Sequence, residues 1–225
     1  MTGQFGAPVD MHPAKPPPAT TFTGRTVRLE KLDPRHTNDL YESIGQHTAV
    51  WAYIPDGPFQ DKESFIPFIE RLSKSADPYL YALIDVPSNK AVGFFSLMRI
   101  DQKNRVVEIG FVVFSPMLQR TTAATEAFYL IAKAVFEDLG YRRFEWKCDS
   151  HNEPSRKAAA RFGFTAEGVF RQHMMIKGRN RDTAWFSMLD SEWPAVRESF
   201  EKWLDAANFD ADGKQISSLV ALRGQ

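Results

Sequence analysis

The order of elements between Val106 and Phe164 constrains this chain more than any other stretch. An apolar run, VVEIGFVVF from Val106 to Phe114, meets a short break, SPMLQR. A helix-like run follows from Thr121 to Gly140, then a strand-like RRFEWKCD, then a second helix opening at Asn152-Glu153-Pro154-Ser155. Strand, turn, helix, strand and helix in that order put a helix N-terminus directly after a strand. Unpaired N–H groups and positive dipole collect there, which suits a phosphate or pyrophosphate. The turn residues Gln119, Arg120, Thr121, Thr122, Ala123 and Ala124 are mostly small or basic. A nucleotide-like cofactor fits such a turn better than a peptide or a metal ion, and no metal site is expected.

The flanking sequence supplies the rest of a mixed sheet. Arg25 to Leu32 alternates apolar and charged residues as a strand does, and Asp33-Pro34 caps a helix running to about Gly45. Asp61 caps a second helix to about Ser75, which Pro67 would kink or split. Tyr79–Val86 and Ala91–Ile100 read as strands, and Thr165–Ile176 with Asp182–Leu189 as a final hairpin. A last amphipathic helix runs from about Ser191 to Ala206. This order suits an α/β mixed sheet with helices on both faces. Residues 1–22, rich in Pro and Gly with Pro16-Pro17-Pro18 at their centre, read as a flexible arm. Residues 23–206 form one domain, and 207–225 a polar tail.

Composition narrows the partners. Twenty-eight basic and 28 acidic residues cancel, so charge gives no reason to expect nucleic acid or an anionic membrane surface. No apolar run approaches the roughly 20 residues of a spanning helix, and the N-terminus lacks an apolar signal core. The single Cys148 excludes an intrachain disulfide and suits a reducing compartment, so the cytosol is the expected location.

Four short pieces stand in one order: Glu108-Ile109-Gly110-Phe111, Ala124-Thr125-Glu126-Ala127, Asn152 to Ser155, and Gly163-Phe164. Together they resemble the acetyl-CoA-binding core of the GNAT superfamily of N-acetyltransferases, and within it the branch of ribosomal-protein N-terminal acetyltransferases. The resemblance implies a mostly antiparallel twisted sheet of about seven strands, with acetyl-CoA as cofactor. It implies cofactor contacts from the backbone around Phe111, Val112 and Val113, from the turn Gln119 through Thr125, and from Asn152 and Ser155. Family turns carry glycines where this chain has Arg120 and Thr122. Either the turn keeps right-handed helical angles, with threonine hydroxyls as extra donors, or cofactor binding is weakened; the first is favoured because Arg120 adds a charge suited to the pyrophosphate. Many members also carry a tyrosine acid seven residues after the Asn. That position is Ala159, and in this branch Ser155 takes the role.

Acetyl transfer to an amine needs a deprotonated amine, donors for a developing oxyanion and a proton for the departing thiolate. A bulge in the central strand would free the N–H donors, and Gly110 is a fitting place for it. Glu108 is the first candidate base, since burial on an apolar strand would raise its pKa; solvent exposure or pairing with a basic neighbour would fit alternation equally. Glu145 on the next strand and Asp182 follow. Asn152 would hold the pantetheine arm or simply cap the helix, and Ser155 would donate to sulfur or stand idle in a first turn. Trp51, Tyr53 and Asp56 in the aromatic stretch His47–Phe59 would wall the acceptor site, or pack beneath a long loop. The basic hairpin tip would favour a carboxylate-bearing acceptor. The expected acceptor is a primary amine of a small molecule, amino acid or peptide N-terminus, attacked in a ternary complex by a monomer or homodimer. A non-catalytic acyl-CoA-binding domain and a polyproline-mediated interaction protein are the competing classes.

Overall fold

The computed structural model describes residues 6–224. Eight strands form one sheet: β1 (Phe22–Thr23), β2 (Val27–Lys31), β3 (Tyr79–Asp85), β4 (Lys90–Asp101), β5 (Val106–Phe114), β6 (Arg143–Asp149), β7 (Thr165–Ile176) and β8 (Arg179–Leu189). They lie in the order β1-β2-β3-β4-β5-β6-β8-β7. The β5–β6 pair is parallel, and the other neighbours are antiparallel. The two-residue β1 adds a strand to the seven expected, and it begins inside the segment read as an arm.

Alternation along β3 explains the layers. Leu80, Ala82 and Ile84 join one cluster with Trp51, Phe65, Phe68 and Leu72. Tyr81 and Leu83 join the other, with Phe128, Ile131 and Phe200. Successive strand side chains point to opposite faces, so a strand covered on both sides is apolar throughout. One face carries α1 (Thr37–Leu40, widening into a π-type turn over Tyr41–Gly45) and α2 (Lys62–Ser73). The other carries α3 (Thr122–Lys133), α4 (Glu153–Phe162) and α5 (Trp193–Leu204). Asp61 does cap α2, accepting from Ser64 N at 2.8 Å, but the helix runs uninterrupted through Pro67.

The described residues near both ends are tied down further than composition suggests. Ala14 is buried, its N–H donates to Gln102 O at 2.9 Å, and Lys15 N donates to Leu139 O. Tyr81 Oη donates to Pro18 O at 2.9 Å. An extended Pro-rich segment can thus dock through its backbone without large apolar side chains. In the tail, α6 (Leu219–Arg223) buries Leu219 completely, and Arg223 reaches Arg161 O.

Candidate active site

The parallel strands β5 and β6 pair only from Val106–Ile109 against Arg143–Trp146. Beyond that they part. β6 stays with β8, while β5 bulges against β4: Gly110 faces Ser96 and Val113 faces Phe94, leaving Phe111 and Val112 opposite Phe95. Phe111 takes φ 52°, a left-handed conformation costly for an aromatic residue. Stacking on Phe94 and Phe68, centroids 5.9 and 6.3 Å away, holds it there. The irregularity thus falls one residue after Gly110, which is not itself left-handed. A Cβ at Gly110 would press on Met98 Sδ, so the Met98 side chain would have to move. Val113 is back in the ladder and buried, so Phe111 and Val112 are the residues left without a partner in the β4 register.

A cavity of about 170 Å³ occupies the split, and its lining includes Glu108, Phe111, Val112, Tyr53, Asn152 and Ser155. Because β5 and β6 separate, this cavity joins the two faces of the sheet. Trp146 and Cys148 lie on the helix-covered face with α4, in the core cluster of that side. Asn152 caps α4, accepting from Ser155 N at 3.2 Å. Trp146 Nε1 donates to Ser155 Oγ at 2.9 Å. The serine hydroxyl proton therefore remains available to the cavity and to adjacent Cys148, whose thiol is pushed up by burial and only partly drawn down by Ser155. Ala159 is fully buried and carries no proton for the reaction.

On the opposite face a ladder of alternating charge runs across the sheet. Arg99 Nε lies 3.4 Å from Glu108 Oε2, and Lys147 Nζ lies 3.0 Å from the same oxygen and 2.7 Å from Glu145 Oε2. Arg143 then bridges Glu145 and Glu167. Burial pushes the Glu108 carboxyl above its ordinary range, and the attraction of Lys147 and Arg99 offsets only part of this. At Glu145 burial acts upward too, but the bonds from Lys147 and Arg143 prevail and hold it low. Glu108 Oε2 has no aligned hydrogen-bond donor among the described residues. That oxygen is shut off from solvent against its counterions, while the residue as a whole lines the cavity.

Other expected residues lie elsewhere. Trp51 is fully buried, donates to Ile44 O and sits among Phe59, Phe65 and Phe68. Its size made it core. Asp56 is paired with Arg71 at 2.7 Å. Glu145 does not line the cavity, and Asp182 is occupied by Gln172 N and Asn180 Nδ2 in a neighbouring surface cleft. Of the aromatic stretch, Tyr53 alone among these candidates reaches the cavity, with its Oη donating to His151 O at 3.2 Å.

In the turn before α3, Arg120 takes φ 63° rather than a right-handed angle. The chain thus makes the left-handed turn without glycine. Thr121 Oγ1 donates to Leu118 O and accepts from Ala124 N, so it caps the helix rather than offering a donor outward. Ala124 and Thr125 are buried, and Thr125 Oγ1 is bonded to Thr121 O and Arg161. Gln119 bonds back to Phe114 O and Ser115 O. The N–H groups of Arg120, Thr122 and Ala123 have no acceptor among the described residues.

Lys147 escaped the sequence reading although its signal was present. Arg143, Glu145, Lys147 and Asp149 alternate with Phe144, Trp146 and Cys148, so one face of β6 is wholly charged. Arg99, His173, Arg181 and Thr183 also line the cavity, from strands whose polar residues carry no motif.

A parallel pair that splits, a bulge in its central strand and a following helix whose first N–H groups lack acceptors are the frame of an acyl-CoA-dependent acetyltransferase. Residues 26–165 match the acetyltransferase (GNAT) domain family, and the chain belongs to that family. It is similar to a GCN5-related N-acetyltransferase from Brucella melitensis, at 46% identity and TM-score 0.93 over 95% of this chain and 98% of that one. A "probable acetyltransferases (GNAT family)" structure from Chromobacterium violaceum matches at 41% identity and TM-score 0.79, over 86% and 98%. The Bacillus subtilis protein named "Putative ribosomal N-acetyltransferase YdaF" is 28% identical over 75% of this chain and 92% of its own length. The protein is an acetyl-CoA-dependent N-acetyltransferase. Among the described residues no helix is long and apolar enough to cross a membrane.

Proposed function

We propose that this enzyme acetylates a primary amine by direct attack in a ternary complex, with Glu108 as base and Ser155 as proton donor to sulfur. The observation that carries this is the split itself, with Ser155 on one face of the sheet and Glu108 on the other, both lining one cavity. Acetyl-CoA supplies an activated thioester carbonyl. The N–H groups of Arg120, Thr122 and Ala123, with the Arg120 guanidinium, would hold its pyrophosphate. Asn152 would steady the pantetheine arm, and the Phe111–Val112 backbone would orient the carbonyl. The Glu108 carboxylate takes a proton from the amine nitrogen, and on the other face Ser155 Oγ donates its hydroxyl proton to the departing sulfur and is reprotonated from water.

The acceptor is a small amine, an amino acid or a peptide or protein N-terminus, the last supported by the name of the ribosomal relative. The reducing cytosol suits the buried free Cys148 thiol. Thiol release from acetyl-CoA, measured against a panel of amines and N-terminal peptides, tests the reading. Turnover on at least one amine, lost in Glu108→Gln, supports it. Cofactor binding with no turnover on any member would favour a binding domain instead.

A further inference from the structure

We infer that Lys147 is a positioning residue for acetyl transfer, holding Glu108 in the ionised, proton-accepting state at neutral pH. The inference rests on the reading of Glu108 as the base. The Lys147 side chain is 4% exposed, so its ammonium has given up water. Three groups replace that water: Glu108 at 3.0 Å, Glu145 at 2.7 Å, and the Trp185 ring, whose centroid lies 3.8 Å from Nζ. Cation–π attraction is strongest in such desolvated settings.

The groups facing Glu108 are few. Arg99 reaches it from β4, and Lys147 and Glu145 from β6. Arg99 is 44% exposed and farther away, so solvent screens it. A carboxylate buried as Glu108 is would otherwise become neutral, and a neutral carboxyl cannot accept the amine proton. Lys147 is the buried charge that opposes this.

Glu145 completes the device. When the amine N–H bond breaks and an O–H bond forms on Glu108, that carboxylate loses its charge. Lys147 remains compensated by Glu145, 2.7 Å away. The proton then leaves Glu108 for water before the next turnover. A lysine with one carboxylate would be stranded as a buried unpaired cation at this point.

The test needs no acceptor. Carboxyl ¹³C resonances of glutamate-labelled protein are followed with pH, and the Glu108 signal is assigned through Glu108→Gln. Wild type is compared with Lys147→Met, Lys147→Arg and the double variant Lys147→Met/Glu145→Gln. The Glu108 midpoint should rise by about 1–3 pH units in Lys147→Met, the usual effect of losing an adjacent opposite charge. Lys147→Arg should restore most of the shift. If Lys147→Met does not fold, the double variant, which removes a carboxylate along with the cation, should still show an upward shift. A midpoint unmoved in a folded variant that binds acetyl-CoA would overturn the inference. Separately, wild-type turnover by Glu108→Gln on a productive amine would overturn the base assignment, whatever the resonance does.

Discussion

Trp146 donates its indole N–H to Ser155 Oγ at 2.9 Å, joining the parallel strand β6 to the first turn of α4. The bond fills an acceptor position on the serine and so directs its one proton outward. Ser155→Ala should lower kcat by about ten- to a hundredfold, the lower part of the range for general acids, because a thiolate is an easy leaving group. Trp146→Phe keeps the hydroxyl but frees its rotation, and should produce a smaller loss of kcat. Acetyl-CoA affinity by calorimetry should stay near wild type in Ser155→Ala.

Glu126 accepts from Arg25 N, Thr26 N and Thr26 Oγ1, clamping α3 to the turn between β1 and β2. Gly24 leaves the space for it. Glu126→Gln replaces an acceptor-only group by one with two donors, against donors already in place. The expected cost is about 2 kcal/mol, read from denaturant unfolding, since charge-assisted bonds to a buried group are lost. Cofactor affinity should change little.

Much of this site could be read from sequence, and the exceptions share a cause. The element order around Val106–Phe164, the Asn152 cap and the cavity positions of Glu108 and Ser155 follow from local pattern, which a strand or helix start records within a few residues. Trp51 and Asp56 were misplaced because their environment comes from distant chain: Phe94 packs on the first and Arg71 pairs with the second. Lys147 was missed for the same reason, since its partner Glu108 is supplied by another strand in parallel register. The docked arm was misjudged because its bonds are made by backbone, which composition does not register.

Gly110→Ala should disturb the site through Met98. The new methyl meets Met98 Sδ and approaches Glu108 Oε1 within 3.2 Å. Overpacking of this kind costs about 1–3 kcal/mol. The double variant Gly110→Ala/Met98→Ala should recover stability, measured by thermal unfolding, because the obstructing side chain is gone. No recovery would mean that Gly110 is required for its backbone conformation after all.

Glu167 is held down to about 2 by its hydrogen bonds from Arg143 and Ser187. A carboxyl whose folded-state pKa is depressed contributes stability above its unfolded value, and that contribution fades as pH falls toward the folded value. The stability difference between wild type and Glu167→Gln should therefore be constant above about pH 5 and shrink between there and about pH 2. A difference independent of pH across that window would remove the ion pair from the account.

The most direct test of the central claim is thiol release from acetyl-CoA with a productive amine, comparing wild type with Glu108→Gln and Ser155→Ala at saturating cofactor. Both variants should bind acetyl-CoA normally and both should lose kcat, with Glu108→Gln also losing the acidic limb of its pH profile. Unchanged kcat in either variant would contradict the assignment of base and acid to the two faces of the split sheet.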